Sequence, residues 1–295
     1  MMNRIDSQYI DLIDEILDIG YDKPDRTGYG TKSLFDYTIR HCMCDGFPLL
    51  TTKKMAVKSV MTELKWFLKG RTDLRYLLQN NCHIWTGDAY KVYERVHHWD
   101  LEEPEYDVKE FEQKILEDDG FSKQWGNLGF IYGKQWKDWD GHDQIKNLIK
   151  SLKEDPHGRR HLVSAWNVSE LSLMKLPPCH YGFQCYVDSE NKLSLKWNQR
   201  SVDVFLGLPF NIASYGTLLL LLCEETGYKP GQLIGSLGDV HIYNNHIEQA
   251  KEQITRIGYD LPELKVSNVD IMNGEFDYEL INYQSHPRIK APLNN

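Results

Sequence analysis

The stretch Leu176 to Tyr215 carries the residues best suited to chemistry. It opens Leu-Pro-Pro-Cys179-His, which sets a thiol directly after two prolines. A thiolate adds to electron-poor carbon and so supports covalent catalysis. Arg200 and Asp203 follow, and a Gly-Leu-Pro-Phe-Asn turn delivers Asn211 into an apolar run. An arginine near a thiol raises the thiolate fraction. Two apolar-aromatic segments flank a polar turn at Asp188 to Lys192, so they read as neighbouring strands. Nucleophile, cation and amide then lie on adjacent pieces of chain. Cys179 taken alone would serve equally as a structural thiol, because buried cysteine is common. His180 does not complete a protease dyad with it, since neighbours on a strand face apart.

Other candidates lie outside this stretch. Glu63 sits in a helix from about Val57 to Leu68, stopped by Gly70. Facing inward among Met61, Leu64 and Trp66, it would have a raised pKa and serve as an acid or base; facing outward, it is one more surface carboxylate. Arg26 is the anion-binding group of the loop KPDRTGYGT, or that loop is a solvated turn. Arg159 and Arg160 are adjacent, so on a strand they point to opposite faces. Both can serve one anion only where a strand begins or across an interface; otherwise they form a solvated basic turn. His241 and Tyr243 are two apart on a short strand, Gly238 to Tyr243, and share a face. They would hold a sugar hydroxyl or form a buried pair satisfied by backbone. Tyr132 and Trp136 are core or ligand-facing aromatics.

The elements that must position these groups belong to an ordinary globular chain. Its 295 residues, 41% hydrophobic and 26% charged, suffice for a large core. The net charge of −9 argues against nucleic acid as the main partner but leaves room for a local anion pocket. The start lacks the apolar core of a signal peptide, and the longest apolar run, Leu218 to Cys223, is far short of a membrane span. The six cysteines form no paired zinc pattern, so a reduced, cytoplasmic protein without membrane attachment is expected. Helices are expected over Tyr9 to Ile19, Asp140 to Lys153, Ser214 to Cys223 and Asn244 to Ile254. Asp100 to Asp119 is strongly acidic and reads as an exposed helical insertion without chemistry.

The motifs DRTGYGT, FPLLTTKK, ELKWFLKG, HIW, YGKQW, DPHGRRHLVSAWN, LPPCH, QRSVDVFLGLPFNIASY and GDVHIYNNH resemble, in order, the folate-dependent, homodimeric thymidylate synthases. The resemblance covers most of the chain. It implies a single α/β (α+β) domain with a large mixed sheet backed by helices, dimerising sheet against sheet. It implies that Cys179 adds to C6 of dUMP, and that 5,10-methylenetetrahydrofolate donates both the one-carbon unit and hydride, giving dTMP and dihydrofolate without a metal. Glu63, Arg200, Asp203 and Tyr132 join Cys179 as catalytic residues in this reading. Arg26, Arg200, Ser201 and, from the partner subunit of the dimer, Arg159 and Arg160 match the phosphate site. Asn211 matches the reader of the pyrimidine, and His241 with Tyr243 the contacts to the sugar 3′-hydroxyl. Lys53, Ile84, Trp85, Leu176, Asp203, Gly207, Phe210 and Leu293 match positions around the folate.

Three places depart from the family pattern: Trp85-Thr86-Gly87-Asp88, Met55-Ala56 and the final KAPLNN. The last puts asparagines where the family commonly ends in a small apolar pair that excludes water. If water intercepted the reaction before hydride, the product would be hydroxymethyl-dUMP. A dUMP hydroxymethylase, or a catalytically silent nucleotide- or RNA-binding homologue, are therefore the rival readings.

Overall fold

The computed structural model describes residues 2–97 and 106–294. In chain order the helices and strands are α1 (Arg4–Ile19), β1 (Tyr21–Lys23), β2 (Thr31–Cys42), α2 (Val57–Leu68), α3 (Leu74–Gln79) and α4 (Thr86–His97). Next come α5 (Val108–Glu117), α6 (Asp119–Trp125), α7 (Tyr132–Lys137), α8 (Gln144–Glu154), β3 (Leu162–Ser164), β4 (His180–Val187) and β5 (Lys192–Asp203). The chain closes with α9 (Gly207–Thr226), β6 (Lys229–Tyr243), α10 (Ile247–Ile254) and the hairpin β7 (Glu263–Asp270), β8 (Glu275–Ile281). Six strands form one sheet in the order β1-β2-β6-β5-β4-β3. It is mixed: β5 and β6 run parallel, whereas the other pairs are antiparallel. A parallel pair needs a crossover, and α9 supplies it.

Alternation along β5 shows how the sheet is used. Leu193, Leu195, Trp197 and Gln199 are buried, while Lys196 and Arg200 are exposed. The buried side packs against α9. On the open side Tyr186 and Leu162 remain exposed, so among the described residues no helix covers them. α9 has twenty residues and is apolar enough to cross a membrane by length and composition, which the six-residue run Leu218 to Cys223 did not suggest. It lies inside the protein, with 72% of its apolar window buried. It begins earlier than Ser214 because Pro209 fits a first turn, and it ends at Gly227 in the left-handed region at φ 79°.

β6 runs well beyond the expected Gly238 to Tyr243. Two of its glycines are close-approach positions: a Cβ on Gly235 would lie 2.4 Å from the Trp197 ring, and one on Gly238 2.9 Å from the Arg200 carbonyl oxygen. Another correction concerns the cysteines. Cys42 and Cys44 form a disulfide where β2 turns into a short 3-10 turn, their Cα atoms 5.2 Å apart; Cys82, Cys179, Cys185 and Cys223 are free.

The acidic segment is corrected too, as far as it lies within the described residues; 100–105 do not. α5 is charged outside but buries Phe111 and Ile115 completely. Phe111 meets Tyr90, Tyr93 and Phe121 at ring distances of 5.4, 5.1 and 5.7 Å. The high charge content hid an apolar stripe at i, i+4. Phe111→Ala should therefore cost about 3–5 kcal/mol in a denaturant titration, and Lys109→Ala within about 0.5 kcal/mol; equal midpoints would mean α5 is not part of the core.

Candidate active site

The chain at Cys179 is held from three directions. Tyr132 on α7 accepts the Cys179 N–H at its hydroxyl, 2.7 Å away. The Arg200 N–H donates to the Cys179 carbonyl at 2.9 Å. The Arg200 guanidinium donates through Nε to Pro178 O and through Nη2 to Pro177 O, each at 2.9 Å. The two prolines fix φ, and their carbonyls face the arginine fork. Each such bond contributes about 1 kcal/mol, more when the donor is charged. The Arg200 plane also lies over Trp166, 5.4 Å from the ring centre. Tyr132 stacks on the His180 ring at 4.1 Å. Burial holds His180 down at about 3, so this imidazole is neutral; it bonds the Tyr215 hydroxyl at 2.8 Å.

Burial raises the Cys179 thiol; Arg200 and Arg26 oppose the rise, while Asp88 and Asp203 reinforce it. Charges from β5, the loop before β2 and α4 therefore converge on one sulfur. Arg26 itself is exposed, on a loop braced by Asp25, which accepts from the Thr27 N–H and Oγ1 and the Gly30 N–H at 2.8, 2.5 and 2.8 Å. Arg26, Asp203 and Cys179 all act on the Tyr243 hydroxyl, which burial raises to about 12. Tyr243 and His241 share a face as expected, with ring centres 5.3 Å apart. His241 Nδ1 lies 3.2 Å from Asp239 Oδ1, and Lys23 Nζ 2.5 Å from Asp239 Oδ2. The His241 bond, helped by Lys23, holds Asp239 at about 2.

Glu63 faces inward. It is 9% exposed on α2 and accepts the Trp85 indole N–H at 2.7 Å. Burial pushes it up to about 7, against the opposing pull of that bond. Near neutrality it exists in both protonation states, as proton transfer requires.

Asn211 is oriented by a relay. The Trp197 indole, a donor only, reaches Gln199 Oε1 at 3.1 Å, which turns Gln199 Nε2 toward Asn211 Oδ1, also 3.1 Å away. Asn211 Oδ1 keeps a second lone pair and Nδ2 keeps its protons, so one edge both accepts and donates. Asp203 Oδ1 caps the turn into α9, accepting from the Phe205 and Leu206 N–H groups at 3.0 Å. Ser201 is half-buried two residues before it, and Gly207 opens α9.

Lys53 is buried; it donates to the Phe205 carbonyl and lies 3.9 Å over the Phe205 ring. Burial lowers it to about 7, with Asp203 opposing. It lines a cavity of about 310 Å³ with Lys54, Met55, Ala56, Leu206, Phe210, Arg288, Ile289 and Ala291. An apolar slot with cations at its rim fits a flat, anionic co-substrate. Ile84 and Leu176 are half-buried against the same core. Leu293 is 51% exposed, and its neighbour Asn294 exchanges amide bonds of 2.8 and 2.9 Å with Asn245. Arg159 and Arg160 are exposed beside edge strand β3, two strands from Arg200.

The sequence reading missed Asp88 and Gln199. Asp88 stands in the first turn of α4, and burial raises its carboxyl against the pull of Arg26 and Lys91. Its signal was an acidic residue close after HIW. For Gln199 the signal was its place two residues from Trp197 on the buried face of β5.

The Glu63 burial has a measurable sign. A glutamate titrates near 4.5 when unfolded and near 7 here, so the folded state binds more protons between these values and stability falls as pH rises across that window. Glu63→Gln should flatten that slope in thermal denaturation; an unchanged slope would place Glu63 in water.

Residues 7–295 match the family model described as thymidylate synthase. Thymidylate synthase of Staphylococcus haemolyticus is 45% identical over 99% of this chain and 99% of its own length. Thymidylate synthase of Mycoplasma mobile is 46% identical over 97% and 99%, and the probable thymidylate synthase of Escherichia phage T5 45% identical over 98% and 99%. Both the full-length family match and these identities say the same thing: the chain belongs to the thymidylate synthase family.

Proposed function

We propose that the chain converts dUMP to dTMP by reductive methylation, with Cys179 as the nucleophile. The observation that carries the pyrimidine assignment is the Trp197–Gln199–Asn211 relay. Uracil offers an N3–H donor beside an O4 acceptor, and the fixed Asn211 edge complements that pair. Cytosine offers the reverse and would leave buried groups unpaired.

With uracil so placed, Cys179 Sγ gives up its proton to water and bonds to C6 as the C5=C6 double bond opens, and the displaced electron pair leaves negative charge on the pyrimidine. Arg200 and Arg26 favour that change, because their charges oppose the burial that keeps the resting thiol protonated. Phosphate binding to these arginines sets the register of the base. Glu63, poised near 7, takes and returns protons, while Trp85 holds its carboxylate. His241 and Tyr243 hold the sugar. 5,10-Methylenetetrahydrofolate supplies the carbon and the hydride when bound, held by Lys53, Phe210, Leu176, Ile84, Trp85 and Asp203. The docking of Asn294 on Asn245 supports methylation over hydroxymethylation, because it keeps the tail beside the slot.

The exposed sheet face suits a second copy, packed sheet against sheet. Arg159 and Arg160, two strands from Arg200, would then reach the partner's phosphate. Four of the six cysteines are free thiols, which suits a reducing compartment despite the Cys42–Cys44 disulfide, and we place the protein in the cytoplasm.

Asn211→Asp is expected to raise the dCMP-to-dUMP preference in kcat/KM by at least about tenfold, roughly the 1.4 kcal/mol of one mispaired hydrogen bond. A ratio that does not move would remove Asn211 as the reader of the base.

A further inference from the structure

Glu112 belongs to the acidic helix α5, and nothing in its sequence context suggests a role. In the structure a single oxygen of its carboxylate meets the residues on both sides of Ile84-Trp85. Glu112 Oε1 accepts the Thr86 hydroxyl at 2.6 Å and lies 2.7 Å from His83 Nδ1. Thr86 is buried and the Glu112 side chain only 18% exposed, so water competes weakly for the first of these bonds. Between the two clamped residues, Trp85 packs on Trp66 and Tyr132 at ring distances of 5.7 and 6.1 Å and presents its indole N–H to Glu63.

We propose that Glu112 is a positioning residue for the reaction: it pins the His83–Thr86 turn, so that Trp85 keeps its hydrogen bond to the Glu63 carboxylate. The acidic segment is then a brace for the proton-transfer group. The proposal rests on the reading of Glu63 given above.

Direct electrostatics would act in the opposite sense. Removing the negative charge of Glu112 lowers the pKa of any carboxyl that feels it, whereas losing the Trp85 bond to the ionised form raises that of Glu63. The other groups facing Glu63 are Cys82, Tyr132 and Tyr215, and those facing Glu112 are His83 and Thr86. None of them changes in the Glu112 variants.

The test follows the ionisation of Glu63 in the free protein by infrared difference spectroscopy, with Glu63→Gln as the blank. Glu112→Ala and Thr86→Val should each raise the midpoint by about half a pH unit or more, as loss of a bond to the charged form requires. Trp85→Phe should raise it as far or further, and Glu112→Ala in that background should add nothing. Glu112→Gln, which keeps an acceptor for Thr86, should stay with the parent. Phe111 and Ile115 remain in every variant, so the core anchor of α5 is intact. A midpoint that falls or holds in both Glu112→Ala and Thr86→Val would overturn the proposal. Absence of dTMP from the parent protein would instead sink the functional reading, and the midpoints would still report on the brace.

Discussion

The structure depends on keeping water away from two groups that water would otherwise control. Glu63 is buried and bonded to Trp85, which packs on Trp66 and Tyr132, and Cys179 is half-buried directly after two prolines. Burial raises both and specific partners pull back: the Trp85 indole on Glu63, Arg200 and Arg26 on Cys179. Neither balance would survive a mobile backbone, because a hydrogen bond is lost within about an ångström of displacement and a charge–charge effect weakens with distance. Hence the Cys179 N–H and carbonyl are both bonded, and hence, in the reading proposed above, the turn that carries Trp85 is pinned from α5.

The sheet gives these groups a common base. Parallel pairing of β5 and β6 places Ser201 beside Asp239 and Asp203 beside His241, so the residues assigned to phosphate, sugar and co-substrate share neighbouring strand ends. α9 closes the crossover and starts beside Asp203, which caps its first turn. The sheet's other face carries Arg200's neighbours Lys196 and Tyr186 into the open. Arg159 and Arg160 lie exposed two strands from Arg200, the arrangement on which the proposed dimer rests.

Much of this was legible in the residues. Strand pairing across Asp188 to Lys192 followed from the two apolar-aromatic segments that flank the turn, and it placed Cys179 and Arg200 on adjacent pieces of chain. The helix bearing Glu63 was legible to the residue, but the burial of Glu63 was not: it is a carboxylate beside the apolar stripe of Val60, Met61, Leu64 and Phe67 rather than in it. α5 was misread for the opposite reason, since its charges outnumber the two residues that anchor it. β6 was cut short because glycine marks either a break or a close approach, and only the Trp197 ring distinguishes them. The orientation of the Asn211 amide needed a donor-only indole two strand positions from Gln199, a relation that no motif records.

The measurement that tests the central claim most directly is the product formed from dUMP and 5,10-methylenetetrahydrofolate, identified by mass, with dihydrofolate absorbance followed in the same tube. Equal amounts of dTMP and dihydrofolate are expected. Hydroxymethyl-dUMP with tetrahydrofolate, or no change in dUMP, would contradict the account.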